Sequence, residues 1–331
     1  MIDGLDSSEV ESEDLIAIQV VEPAASEPVE ERSKNVQWVE LIGASFLFAS
    51  AYLILYIVYD FVTALAAAHF GLEPVLFYDS IKYENTFPDG ASRWYPHCIK
   101  RVFSIGAITM GVLGFFFYGM YLAMRKSFIF VRLFMLWSSL ISFAILAQRL
   151  MSVPFAGNFD YRKLDALGFE LAIFTSYSYF KPSTEWAMGF LGFLLIILIG
   201  LFYAKPFLQT AWSSKQIGSE SERNRFLRLQ VLLPVVFGSL LVTVVVFPVN
   251  LIPNSIAFVS AFVCLLVMMV HAMLMGSFKI PRQKTWERWP IVPTIVFFIV
   301  IYVIKTTLTD PGIVIPDLHL YDLFIISESD L

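Results

Sequence analysis

From Leu229 to Phe278 the chain carries no Asp, Glu, Lys or Arg. Such a run has no place on a water-exposed surface. A membrane-crossing helix needs only about 20 mostly apolar residues, because the hydrocarbon core is about 30 Å thick. The run is therefore too long for one crossing and fits two. Asn250-Leu251-Ile252-Pro253-Asn254-Ser255 supplies turn chemistry in its middle.

The rest of the chain follows the same pattern. It is 57% hydrophobic and only 15% charged, with a mean hydropathy of +0.70, whereas a soluble domain carries about 25% charged residues. Five further segments have the length or near-length of a crossing. The first begins near Trp38, is uncharged from Leu41 to Tyr59 and runs on past Asp60 to His69. A continuous helix of that length must tilt or protrude. The others run from Val102 to Met124, from Leu133 to about Met151, from about Ala187 to Tyr203, and from Trp289 to Ile304. The expected fold is an all-α, polytopic transmembrane helix bundle of about seven spans over residues 38–310.

Orientation follows from Lys and Arg in short connections. Arg125, Lys126 and Arg132 follow the second span. Lys205, Lys215, Arg223, Arg225 and Arg228 follow the fourth, and Lys279, Arg282, Lys284 and Arg288 follow the sixth. These loops share one side, so the N-terminus is expected in the cytoplasm and the C-terminal tail, 311–331, outside. Residues 1–37 hold ten acids and two bases against a whole-chain charge of −5. They read as a disordered acidic cytoplasmic tail. The outer segments 71–100 and 152–185 are rich in aromatic residues, which anchor at headgroups or cap a cavity.

Several chemistries are excluded or left without support. Two cysteines and four histidines rule out a disulfide framework and a four-cysteine zinc module. No two histidines lie at zinc-ligand spacing. There is no nucleophile elbow and no phosphate loop, so no intact catalytic motif. No cofactor is implied, and nothing basic enough for nucleic acid is present.

Ionisable groups at membrane depth are costly and point to function. Asp60 has apolar residues on both sides, and Tyr56, Thr63, Ala64 and Ala67 share its helix face. That small, mildly polar stripe suits helix contact better than lipid. Arg149 and Lys305 lie near span ends, where long cationic side chains snorkel to water. His271 lies within the sixth span, where a lone histidine bonds a neighbouring helix more often than a ligand. Gly106, Gly111, Gly114 and Gly119, with Gly189 and Gly192, suggest close helix contact.

One stretch has an outline known from elsewhere. Tyr59-Asp60-Phe61-Val62-Thr63, followed by alanines and Phe70-Gly71-Leu72-Glu73-Pro74, resembles the first motif of site-2-protease-like membrane metalloproteases. Those helices carry His-Glu-x-x-His, with two zinc ligands and a water-activating glutamate. Here Tyr59 and Thr63 stand at the histidine positions and Asp60 at the glutamate position. Ser104-Ile105-Gly106-Ala107 is similar to the family's following helix. Gly157-Asn158-Phe159-Asp160 resembles its Gly-Asp segment, with Asp160 as the retained acid. The resemblance implies a bacterial inner-membrane protein that has lost its metal and its catalysis, a pseudoenzyme.

The leading expectation is thus a multi-pass plasma-membrane scaffold or binding protein, without catalysis. Its partners would be the lipid bilayer and another membrane protein's segment or a lipid-like ligand near Asp60. A rival is a proton- or solute-coupled transporter using Asp60 with Arg149 or His271. A third is a lipid-acting enzyme at the outer face, using His97 with Asp79, Asp89 or Asp160. A charged cavity would favour transport, an aromatic cleft with an acid–base pair the enzyme, and a solid bundle the scaffold.

Overall fold

A computed structural model describes residues 34–77, 81–83, 94–124, 127–155, 170–178, 181–211, 217–246, 251–275, 291–309 and 312–316. The acidic tail before Lys34, the candidate acids Asp79, Asp89 and Asp160, Asn250, and the C-terminal residues from 317 onward lie outside these. The fold is all-α, as expected. The long helices are α1 (Lys34–His69), α2 (Pro96–Ala123), α3 (Ile129–Ser152), α5 (Pro182–Leu208), α7 (Leu233–Val246), α8 (Leu251–Leu274) and α9 (Ile291–Thr307). Two short ones, α4 (Glu170–Tyr177) and α6 (Glu220–Leu227), join them. Among the described residues five helical stretches are long and apolar enough to cross a membrane, with α9 and the Val259–Leu274 part of α8 apolar but shorter.

α1 is continuous through Asp60, as its sequence suggests. Its 36 residues reach about 54 Å at 1.5 Å per residue, well beyond the hydrocarbon core. It ends in a glycine-specific turn. Gly71 has φ +69°, its N–H bonds the carbonyl of Ala68, and the Leu72 N–H reaches back to that of Ala67. This double bond satisfies the last carbonyls and needs a residue tolerant of positive φ. The chain then forms β1 (Val75–Leu76), which pairs antiparallel with β2 (Ile81–Lys82) on one edge and β3 (Ile313–Val314) on the other. The segments that follow α1 and α9 are thereby tied together.

The burial pattern assigns roles to the helices. α1 and α3 are 61% buried over their most apolar windows, while α2 and α5 reach only 33%. α1 and α3 are therefore the centre of the bundle. α2, α5, α7, α8 and α9 wrap them and show large side chains such as Phe115, Phe190, Val244, Phe262 and Tyr302 to the outside.

Close helix contact uses most of the glycines singled out above. A Cβ on Gly106 would sit 2.7 Å from the Tyr59 ring and one on Gly192 would sit 2.6 Å from the Ala147 carbonyl oxygen. Gly114 faces Phe143 and Gly189 faces Pro154. Gly119 corrects the expectation, because nothing lies within 4 Å of its would-be Cβ. Polar stitches join the same helices. Ser139 of α3 donates to the Gly114 carbonyl of α2 at 2.7 Å and is hydrogen-bonded to Tyr203 of α5. Such bonds contribute about 0.6 kcal/mol on average in membrane helices, and about 1.7 at most.

The charge-free stretch yields two helices, α7 and α8, but Leu251 to Ser255 do not form the expected turn between them. α8 already begins at Leu251, so Leu251 to Ser255 are helical and Pro253 sits in the first turn, where its missing N–H has no intrahelical acceptor to lose. A π-helical turn, Arg228–Leu232, links α6 to α7. Pro234 explains it: proline cannot donate to the Gln230 carbonyl and crowds it, and the wider turn makes room.

Candidate functional site

Two features meet near the centre of the bundle, a buried charged cluster and an apolar cavity. The cluster lies toward the end of the bundle where α1 and α3 finish. Asp60, Tyr59 and Thr63 on α1 are 2%, 1% and 3% exposed. α1 presents this face to α2, whose Gly106 closes against Tyr59 and Thr63. Thr63 donates its hydroxyl to the Tyr59 carbonyl at 2.9 Å, so its oxygen is satisfied within its own helix. Ala64 and Ala67 on the same stripe are fully buried. The expectation that Asp60 lies inside a helix-facing stripe holds.

Arg149 departs from expectation. It does not snorkel to water. It is buried, and its guanidinium carbon lies 4.8 Å from the Tyr59 ring centroid, a cation–π distance. The charges of Arg149 and Asp60 both reach the Tyr52 hydroxyl. Two opposite charges on neighbouring central helices thus share one neighbourhood, which lowers the cost of burying either.

The other candidates lie apart. Lys305 is exposed on the last turn of α9, as snorkelling requires. His271 is half-buried near the opposite end of the bundle. There Arg223 of α6 donates Nε to the Ala272 carbonyl at 2.9 Å and Nη2 to the Met273 carbonyl at 3.3 Å. His271 therefore does not join Asp60. His69 and His97 flank the Phe70 ring, and His97 stacks on Tyr95 at 5.8 Å. Among the described residues no three His, Cys, Asp or Glu side chains gather as a metal site.

The cavity was not foreseen. It has a volume of about 150 Å³ and is walled by α1, α3, α5, α7 and α8. Phe48, Trp137, Leu140, Val235 and Leu265 make one part of the wall; Tyr52, Tyr56, Gln148, Ser239, Thr243 and Ser260 supply its polar atoms. Among the described residues no Asp, Glu, Lys or Arg lines it. Phe48 packs edge-on against Trp137 at 5.1 Å, and Tyr52 stacks on Tyr56 at 6.4 Å. These contacts pack the aromatic side chains of the wall against one another. α7 packs on α1, and α8 on α5 and α3, so the cavity lies where α7 and α8 follow different partners. The wall residues come from five helices and none belongs to a motif, which is why sequence reading missed it.

A cavity of this scale, mostly apolar but with several hydroxyls and an amide on its wall, has room for a small apolar or amphiphilic group. Asp60 and Arg149 lie beside it, and Glu40, Arg132 and Arg223 are further buried charged side chains outside its lining. Compared with family models, curated proteins and solved structures, the chain matches none.

Proposed function

We propose that the protein is a non-catalytic, membrane-embedded binding protein whose cavity holds part of a lipid-like ligand. The single observation behind this reading is the cavity between five apolar helices, with no charged side chain among the described residues that line it. Transport of ions or polar solutes asks for charges along the path, and the cavity wall has none. The bundle is also not solid, as a pure scaffold would be.

In this reading the chain crosses the plasma membrane seven times with its N-terminus in the cytoplasm. The bias of Lys and Arg toward the loops after α2, α5 and α8 supports the orientation. Pairing of β1 with β3 supports the count, since it requires α1 and α9 to end on the same side. The chain is then a pseudoenzyme relative of site-2 proteases, in a bacterial inner membrane, with Tyr59 and Thr63 at the former ligand positions. Packing of Gly106 against those two residues fits a helix pair kept after its metal was lost.

A proton- or solute-coupled transporter is the second reading, favoured by the burial of both Asp60 and Arg149 near Tyr52.

The test is native mass spectrometry of protein purified in mild detergent, with Ala144→Trp and Ala261→Trp as cavity-filling variants. Wild type should carry one lipid-like molecule per chain, and both variants should lose it while keeping a normal gel-filtration profile. Equal retention in both variants, or an empty wild type, would refute the binding reading.

A further inference from the structure

The cavity wall is graded along the bundle axis. On α1 the order is Phe48, Tyr52, Tyr56. On α3 it is Trp137, Leu140, Ile141, Ala144, Ile145, Gln148. On α7, which runs the same way, it is Val235, Ser239, Val242, Thr243. On α8, which runs oppositely, Leu265 and Cys264 come at the Trp137 end and Ser260 nearer the other. The polar atoms, those of Ser239 excepted, therefore collect at the end nearest Asp60, and the hydrocarbon wall at the Trp137 end, where Gly238 beside Ser239 packs on Phe48. Phe48 to Tyr56 alone spans about 12 Å of helix, so the gradient extends over several carbon–carbon bonds.

Resting on the binding reading above, we infer that the ligand is a neutral single-chain amphiphile with a hydroxyl or amide head. The head sits among Tyr52, Tyr56 and Gln148, toward Asp60, and the chain leaves between α7 and α8 into the bilayer. Three observations carry the assignment. First, the polar groups at that end are hydroxyls and an amide, which donate and accept. A side-chain amide has two donors and a two-lone-pair acceptor, so one existing bond does not exhaust it. Second, no ionised side chain is among the described residues lining the wall, and the two charges that reach Tyr52, Arg149 and Asp60, are opposite in sign, so a charged head would lose its hydration without a net opposite charge to meet it. Arg149 is buried against Tyr59 and is not part of the lining. Third, about 150 Å³ encloses a head and a short run of methylenes, not a whole lipid, so most of the chain must lie outside. Thr243 on α7 is exposed beside the cavity, and α7 and α8 pack against different helices. The gap between them is the route to the hydrocarbon.

The experiment is photolabelling in nanodiscs of zwitterionic lipid at pH 8. The probe is a long-chain primary alcohol with a diazirine on its chain, competed by unlabelled alcohol, the matching carboxylate and the matching alkane. Labelled peptides should come from α7 and α8. The alcohol should compete at least about tenfold better than the carboxylate, given the cost of a charge at this depth. It should also beat the alkane, and Gln148→Leu should cut that preference about fivefold, the loss of roughly one hydrogen bond. A carboxylate that competes best, or an alcohol preference untouched by both Gln148→Leu and Tyr56→Phe, would overturn the head assignment while leaving the cavity as a binding site. No labelling of α7 or α8 by any competitor-sensitive probe would overturn the binding reading itself.

Discussion

Arg149 lays its guanidinium over the ring of Tyr59, 4.8 Å from the centroid. This one contact joins the two central helices beside the buried Asp60. It also explains why a cation so near the end of α3 stays inside the protein. Stacking on an aromatic face, with a carboxylate close by, compensates the guanidinium for the water it loses.

The first prediction concerns this neighbourhood. Arg149→Gln should lower the apparent melting temperature in detergent sharply, because Asp60 stays buried while the cation stacked on the adjacent Tyr59 is lost. Asp60→Asn alone should also destabilise. The double variant should be more stable than Arg149→Gln alone, with a coupling of at least about 1 kcal/mol in a double-mutant cycle. Additive effects would mean that the two charges act independently.

The second concerns helix approach. Gly106→Ala places a methyl group 2.7 Å from the Tyr59 ring and 2.9 Å from Thr63 Oγ1. Overpacking of this kind costs about 1–3 kcal/mol. Gly119→Ala meets nothing within 4 Å, so it should be neutral or slightly stabilising in its helix. Thermal unfolding of both variants in the same detergent makes the comparison, and equal behaviour would contradict the packing of α2 on α1.

How much of this was legible in the sequence depends on distance along the chain. The continuous α1, its buried Asp60 and its small-residue face could be read, because one local stretch contains the whole signal. The glycine turn at Gly71 was equally local. Ser219 and Glu222 were readable but overlooked: their spacing is that of a reciprocal cap, and each bonds the other's backbone N–H. Arg149 was misread because its distance from a helix end was known but its rotation about the axis was not. The cavity was out of reach, since Tyr52, Gln148, Thr243 and Ser260 come from four helices and converge only through packing.

The third prediction is topological. Cysteines introduced at Ser127, Ser214 and Gln283, in a background with Cys98 replaced, should resist an impermeant thiol reagent added to intact cells. One at Ser183, in the first turn of α5, should react. Labelling of the first three would reverse the proposed orientation.

The fourth concerns the end of α8. Arg223 donates to Ala272, Met273 and Ile217 carbonyls, fastening α6 to the C-terminus of α8. Each hydrogen bond from a charged group contributes about 1.5–3 kcal/mol, and the cation also meets the negative end of the helix dipole. Arg223→Gln should therefore speed hydrogen exchange in α6 and the last turn of α8, without affecting α2. Arg223→Lys should rescue little, because an ammonium cannot reproduce the planar fork. Unchanged exchange in α6 and α8 would remove this contact from the forces that hold the two helices together.

The most direct test of a lipid chain inside the bundle uses Trp137, which lines the cavity and is 0% exposed at the protein surface. Of the seven tryptophans, the other six would be replaced by Phe, and the single-tryptophan protein reconstituted with a neutral single-chain amphiphile brominated along its chain. Quenching of Trp137 well above that of the same protein carrying Ala261→Phe is expected, because only a chain within the cavity can bring bromine to the indole. Equal, weak quenching in both proteins would mean that the cavity stays empty, and would contradict the proposed function at its base.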